Sequence, residues 1–303
     1  MSHPIVCWQS DFQPHPDFEV PELREPTAEW LAQAEVCIGH STTEQLAAMP
    51  RLRWLQIMIA GAERWLHVPS SIILTTANPV FVQPAAEHAL AMLLALGRDL
   101  PHQVRQGTAR QWTKSTVCRD LDQATVVVVG LGAIGQAIAV RASAFGARII
   151  GVQRDPRGTP PPGVVAVHGV ADLAGLLTTA DAVVLALPTT SATDGLVSRT
   201  HLQQLKPGAL VINVGRGSTI DQQALVDGLA SGRIGGVGLD VTTPEPLPSE
   251  HPLWAFPNVL ITGHSVNTSP GKARRRAALV SAQLARWRRG EALLYQVDRA
   301  KGY

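Results

Sequence analysis

The sequence predicts an α/β protein of two doubly wound parallel-sheet domains, and three observations carry that expectation. Short apolar runs alternate with helix-like pieces through the N-terminal third, residues 126–135 read V-V-V-V-G-L-G-A-I-G, and six further apolar runs follow that stretch. Strands alternating with helices imply parallel sheets covered by crossover helices.

In the N-terminal region the apolar runs lie at 4–8, 36–38, 54–59 and 72–75, with helix-like pieces at 42–49 and 62–67. No glycine fingerprint occurs there, so the region reads as a small α/β domain without a nucleotide site and is assigned to substrate. Pro84 suits the first turn of a helix reaching residue 105, interrupted by Pro101. Its apolar part, 85–96, carries Glu87 and His88 and reads as too short to span a bilayer.

Four valines then run straight into G-x-G-x-x-G, a buried strand followed by a glycine turn. Beyond it Ile138, Ala139, Ala142 and Phe145 fall on one helical face. The turn therefore opens a helix, as a phosphate cradle must. Gly130 would allow the tight turn, Gly132 the approach of a pyrophosphate to the backbone, and Gly135 close packing of helix on strand. Gly130, Gly132, Ala133, Ile134 and Gly135 are the expected contacts of a dinucleotide. The glycines alone would also suit an ordinary α/β turn.

Later strands are expected at 148–152, 164–167, 182–187, 209–214, 236–241 and 259–262, enough for a complete doubly wound sheet. Ser198 and Asp221 are suitable helix N-caps. A last helix spans 270–289, and its Arg274, Arg275, Arg276, Arg286, Arg288 and Arg289 read as a solvated face rather than a nucleic-acid patch, because the net charge is only +2. The expected division is a discontinuous substrate domain, 1–96 with 276–303, and a cofactor domain, 97–275.

With 45% hydrophobic and 17% charged residues in 303, the chain is globular in composition. Cys7, Cys37 and Cys118 are widely spaced, so neither a disulfide framework nor a metal site is expected. No basic-then-apolar N-terminal segment is present, and a soluble cytoplasmic protein without nucleic-acid or membrane partners is expected.

Ligands of a doubly wound sheet sit at the carboxyl ends of its strands. After the second strand come Gln153, Arg154, Asp155, Pro156 and Arg157. A neutral residue with two guanidinium groups beside it suits a 2′-phosphate, which favours NADPH over NADH. Asp155 lies near the position of a ribose-binding acid, and is read as a turn residue one step past the strand. Farther on, N-V-G-R-G sets Arg216 where it can grip a carboxylate, although a surface ion pair is an equal reading. Asp240 and His264 each follow a strand, and Glu245 sits in a proline-fixed loop. A carboxylate behind an imidazole favours its protonated form and fixes its orientation. Singly, Glu245 and His264 could be a loop acid and a structural histidine; together with Arg216 after strands of one sheet, they point to catalysis.

With G-L-G-A-I-G, L-K-P-G-A-L-V-I-N-V-G-R-G, G-L-D-V-T-T-P-E-P-L-P and T-G-H in this order, the chain resembles the D-isomer-specific 2-hydroxyacid dehydrogenases over nearly its full length. The Q-R after the second strand and the ending Q-V-D-R-A-K-G-Y are most similar to the glyoxylate/hydroxypyruvate reductase group. The resemblance implies a Rossmann cofactor domain, a smaller flavodoxin-like substrate domain and a homodimer. It implies NADPH-dependent reduction of a small 2-keto acid, with His264 donating the proton, Glu245 supporting it and Arg216 binding the carboxylate. It further implies that backbone amides at Ala60 and Gly61 bind that carboxylate, that Leu187, Pro188 and Val214 line the cofactor, and that Asp240 binds its carboxamide. The family usually has Pro before the catalytic His; Gly263 stands there instead and is expected to loosen the loop. His40 reads as a loop residue rather than a ligand. The alternative from another class is a non-catalytic, nucleotide-sensing module like the corepressors of this fold. A formate-type oxidase is less suited, since those enzymes carry Gln where Glu245 stands.

Overall fold

A computed structural model describes residues 5–7, 23–24, 27–115 and 117–303, so Pro4 and Trp8 of the first expected strand lie outside the described residues. In chain order the elements begin with β1 (Ile5–Cys7), β2 (Leu23–Arg24), α1 (Ala28–Gln33), β3 (Val36–Ile38), α2 (Thr43–Ala47), β4 (Trp54–Gln56), β5 (Ile73–Thr75), α3 (Asn78–Gly97) and α4 (Leu100–Thr108). There follow β6 (Thr125–Val129), α5 (Ala133–Ser143), β7 (Arg148–Val152), β8 (Val164–His168), α6 (Leu173–Leu177) and β9 (Ala182–Leu185). The chain ends with α7 (Arg199–Gln204), β10 (Ala209–Asn213), α8 (Gln222–Ala230), β11 (Ile234–Leu239), β12 (Val259–Ile261) and α9 (Lys272–Arg288). Two compact units result, Met1–Phe81 with Thr268–Tyr303, and Val82–Asn267.

Among its described residues the first unit has five parallel strands in the order β2-β1-β3-β4-β5, the flavodoxin-like doubly wound order. Successive strand residues face opposite ways. Cys37 and Leu55 pack with Leu31, Leu52 and Trp65 on one side, while Val36, Ile38 and Trp54 pack with Val280 and Leu284 of α9 on the other. Buried polar groups are satisfied internally: Trp54 Nε1 donates to Thr75 Oγ1, and Thr75 Oγ1 donates to Gln56 Oε1, both at 2.8 Å.

The second unit has seven parallel strands in the order β12-β11-β10-β9-β6-β7-β8, a Rossmann sheet extended by one strand. The four valines explain themselves by alternation. Val126 and Val128 face α3 and α5, through Ala89, Met92, Ile138 and Ala142, whereas Val127 and Val129 face the layer holding Leu173, Leu202 and Leu225. A strand buried on both faces reads as an unbroken apolar run. Ser198 and Asp221 are N-caps of α7 and α8, and the Asp221 carboxylate accepts the Ala224 N–H at 2.8 Å.

Several expectations need correction. Helix α3 starts at Asn78, so Pro84 lies inside it rather than in its first turn. Pro84 has no N–H for the Val80 carbonyl one turn back, and Arg275 Nε donates to that carbonyl instead, at 2.8 Å. The unit boundary accordingly falls at 81/82 rather than 96/97, because Ala86, Ala89, Met92, Leu93 and Leu96 pack on the Rossmann sheet. At the other end it falls at 267/268 rather than 275/276, since Arg275 and Arg276 donate to the carbonyls of Val80 and Met58 in the first unit.

Helix α3 also ends at Gly97 instead of reaching residue 105. Its 20 residues meet the length and apolarity of a membrane span, yet more than half of that stretch is buried in the core just described. Arg276 is not on a solvated face: it is 4% exposed, bonded to Met58 O at 3.0 Å, with its guanidinium over the Phe81 ring. Phe145 falls past the end of α5 and is 49% exposed, so only Ile138, Ala139 and Ala142 form the buried face.

Candidate active site

Strand register sets the site. Val129 pairs with Leu185, Leu185 with Asn213, Asn213 with Leu239, and Leu239 with Ile261, so one row crosses five strands. Gly132, Pro188, Arg216 and His264 each lie three residues past this row, on loops that leave the same carboxyl edge. Residues far apart in sequence are thereby gathered at the edge where ligands of doubly wound sheets bind.

At β6 the turn is closed by contact. Gly130 has φ +98° and a Cβ there would meet Ala186 O at 2.7 Å; a Cβ at Gly135 would lie 1.9 Å from Gly130 O. Gly132 is the N-cap of α5 and has open space where a Cβ would be. Ala133, Ile134 and Gly135 form the first turn of α5. The N–H groups of that turn and the positive end of the helix dipole face the open space, which suits a pyrophosphate.

One strand over, Gln153 follows β7 and its Nε2 donates to Asp155 O at 2.8 Å. Arg154 is exposed, and Arg157 Nε lies 2.8 Å from Asp155 Oδ1 in a pair that is 88% and 62% exposed. So exposed a pair holds with about 1 kcal/mol or less and can exchange for a stronger anion. On the β9 side, Leu187 and Pro188 are half-buried, and Thr193 Oγ1 donates to Pro188 O at 2.6 Å.

Arg216 leaves β10 on a turn built by Asn213, the first residue of N-V-G-R-G, and by Thr219, neither of which carries a role legible in the sequence. Asn213, wholly buried, accepts the Gly215 N–H at 3.0 Å and donates Nδ2 to Arg216 O at 2.9 Å; Thr219 Oγ1 donates to the same carbonyl at 2.7 Å. Val214 is buried just before it, with its N–H on Leu185 O at 3.1 Å. A Cβ at Gly217 would strike Thr242 O at 2.1 Å, so the β10 and β11 loops touch. The half-buried Arg216 side chain donates Nη1 to Gly215 O at 2.9 Å.

After β11, Gln222 braces the next loop by accepting the Thr243 N–H at 3.0 Å and donating to Thr243 O at 2.8 Å. Glu245 Oε1 stands 2.7 Å from His264 Nδ1, with the two side chains 40% and 41% exposed. A carboxylate only accepts, so Nδ1 carries the proton and Nε2 is the nitrogen left to exchange one with a ligand. His264 has φ +50°, a left-handed conformation costing about 1–2 kcal/mol.

Asp240 is buried and turned to the loop after β12: Oδ1 accepts the Ser265 N–H at 2.7 Å and the Thr262 hydroxyl at 2.6 Å. In the first unit, Ala60 is half-buried and Gly61 buried in the segment following β4, with Ala60 against Ala77 and Phe81. His40 stacks on Trp65 with centroids 5.1 Å apart. Among the described residues no cluster of His, Cys, Asp or Glu has the arrangement of a metal site.

Residues 90–265 match the family model for the NAD-binding domain of D-isomer-specific 2-hydroxyacid dehydrogenases. The chain belongs to that family. This 2-hydroxyacid dehydrogenase homologue is 38% identical to a mouse glyoxylate reductase/hydroxypyruvate reductase over 220 residues, 71% of this chain and 66% of that one. It is 33% identical to a Citrobacter koseri glyoxylate/hydroxypyruvate reductase B over 81% of this chain and 80% of the other. A family member from Xanthobacter autotrophicus Py2, crystallised with NADPH and MES, superposes with a TM-score of 0.87 at 28% identity over the whole of both chains. The chain spans at most about two thirds of the length of the first curated relatives it matches.

Proposed function

We propose that this family member reduces a small 2-keto acid, of the glyoxylate or hydroxypyruvate kind, to the 2-hydroxy acid with NADPH. The observation that carries the reading is the His264–Glu245 contact of 2.7 Å on loops of the sheet that also bears the open Gly132 cradle. NADPH would rest its pyrophosphate on Gly130, Gly132, Ala133, Ile134 and Gly135, beside Leu187, Pro188, Val214 and Asp240; Gln153, Arg154 and Arg157 would face the 2′-phosphate. When bound, the reduced nicotinamide supplies the hydride. His264 holds the proton for the carbonyl oxygen at Nε2 while Glu245 keeps Nδ1–H fixed. Arg216 anchors the carboxylate, and Ala60 and Gly61 offer backbone N–H groups to it. The curated reductases and the NADPH-bound relative support this choice of substrate and cofactor.

The deciding experiment is steady-state turnover of glyoxylate, hydroxypyruvate, pyruvate and longer 2-keto acids with NADPH and NADH, on the wild type and on Arg154→Gln. Turnover of short keto acids, and an NADPH preference that erodes in the variant, are expected. Nucleotide binding without turnover of any keto acid would return the chain to a nucleotide-sensing module; an unchanged cofactor ratio would remove Arg154 from the phosphate.

A further inference from the structure

We propose that Thr262 and His88 are positioning residues for His264 and act through the buried carboxylate of Asp240. The proposal rests on His264 being the proton donor. Four donors from the loop at 262–266 converge on Asp240. Its Oδ1 takes the Thr262 hydroxyl at 2.6 Å and the Ser265 N–H at 2.7 Å, its Oδ2 takes the Val266 N–H at 3.2 Å, and its main-chain carbonyl takes the His264 N–H at 2.9 Å. Two successive N–H groups cupping an anion, right after a left-handed residue, make a nest. The loop that aims His264 is thus wound around one residue, with three of the four bonds on its carboxylate.

Proton bookkeeping extends the network by two residues. Thr262 Oγ1 has one hydrogen and gives it to Asp240, so at the 2.9 Å contact with His88 Nε2 the imidazole must be the donor. His88 Nε2 also lies 3.5 Å from Asp240 Oδ1. The order is therefore His88 N–H to Thr262 O–H to the Asp240 carboxylate. His88 projects from α3, whose apolar residues are fixed in the core, so the chain anchors the loop to a rigid element. Gly263 makes the anchor necessary, because no proline ring restrains the residue before a strained histidine. With the Thr262 hydroxyl gone, the carboxylate loses its shortest contact and its link to α3 and is held by the loop's own N–H groups alone, so the loop shifts and the Nδ1–H of His264 loses its alignment on Glu245.

The test compares Thr262→Val, which keeps shape and removes the hydroxyl, with Thr262→Ser, which restores it, and with His88→Leu. Turnover number for a short 2-keto acid should fall about ten-fold in Thr262→Val, the low end for residues orienting a catalytic group. NADPH affinity should stay near wild type, Thr262→Ser should recover most of the rate, and His88→Leu should fall in between. Long-range 15N–1H spectra of His264, read without substrate, should lose the fixed Nδ1–H tautomer in Thr262→Val and regain it in Thr262→Ser. Should Thr262→Val fail to fold, the same spectra on His88→Leu decide. An unchanged tautomer would overturn the proposal, as would NADPH affinity falling in step with the rate, which would make the network a support for the nucleotide and not a positioning device for His264. Wild-type turnover in His264→Ala would instead remove the proton-donor reading, while the spectra would still report whether the network sets the tautomer.

Discussion

His264 combines two conditions that a sequence cannot express: a left-handed backbone and an Nδ1 committed to Glu245 at 2.7 Å. The first is strained and the second fixes the tautomer, so the surroundings must hold both. His264→Ala should cut turnover by at least about a hundred-fold, within the range for removing a general acid, with NADPH affinity nearly unchanged; near-normal turnover would take His264 out of the reaction. Arg216 makes a different demand. Its value lies in a planar fork, which lysine keeps in charge but not in shape. Arg216→Lys should raise KM for the keto acid much more than Arg216 removal perturbs NADPH binding, and wild-type KM in the lysine variant would argue against a bidentate anchor. Asn213 heads the N-V-G-R-G stretch, yet nothing in that string tells that its buried amide shapes the turn under Arg216, since the Gly215 N–H and the Arg216 carbonyl reach it only in the fold.

At the scale of elements, legibility followed periodicity. The strands β7, β8, β9, β10 and β12 lie where apolar runs put them, and the caps at Ser198 and Asp221 are where side-chain chemistry demands them. β2 is two residues long and has no period to read. The start of helix α3 differs from the sequence expectation because Pro84 suits a first turn, and the compensation for its missing N–H comes from Arg275, which is far away in sequence. Arg276 differs for the same reason: a guanidinium reads as solvated until a distant carbonyl and an aromatic ring are brought to it. The β6 turn was legible because its constraints are local. A Cβ at Gly135 would lie 1.9 Å from the Gly130 carbonyl oxygen, so Gly135→Ala must push α5 off the strand. A loss of about 1–3 kcal/mol in stability and a weaker NADPH Kd are expected together, measured by denaturant unfolding and nucleotide titration. A variant that keeps both values would mean the helix tolerates displacement, and the cradle would not depend on close packing.

At the scale of the whole molecule, the first unit contains both ends of the described chain, and the second is a single continuous insertion from Val82 to Asn267. Each unit has its own buried clusters, one set around Leu55 and Trp54, the other around the valines of β6. The proposed pyrophosphate cradle lies wholly in the second unit. A ligand stabilises only the state whose groups it binds, by about 2.7 kcal/mol at a hundred times its Kd. NADPH alone should therefore slow amide exchange in β6, β9 and the first turns of α5, and leave the buried strands β3 and β4 at their unliganded rates. Hydrogen exchange followed peptide by peptide measures this directly. An equal slowing in β3 and β4 would show that the two units open as one, and the cofactor's binding energy would then be shared by the whole chain instead of being held in the insertion that binds it.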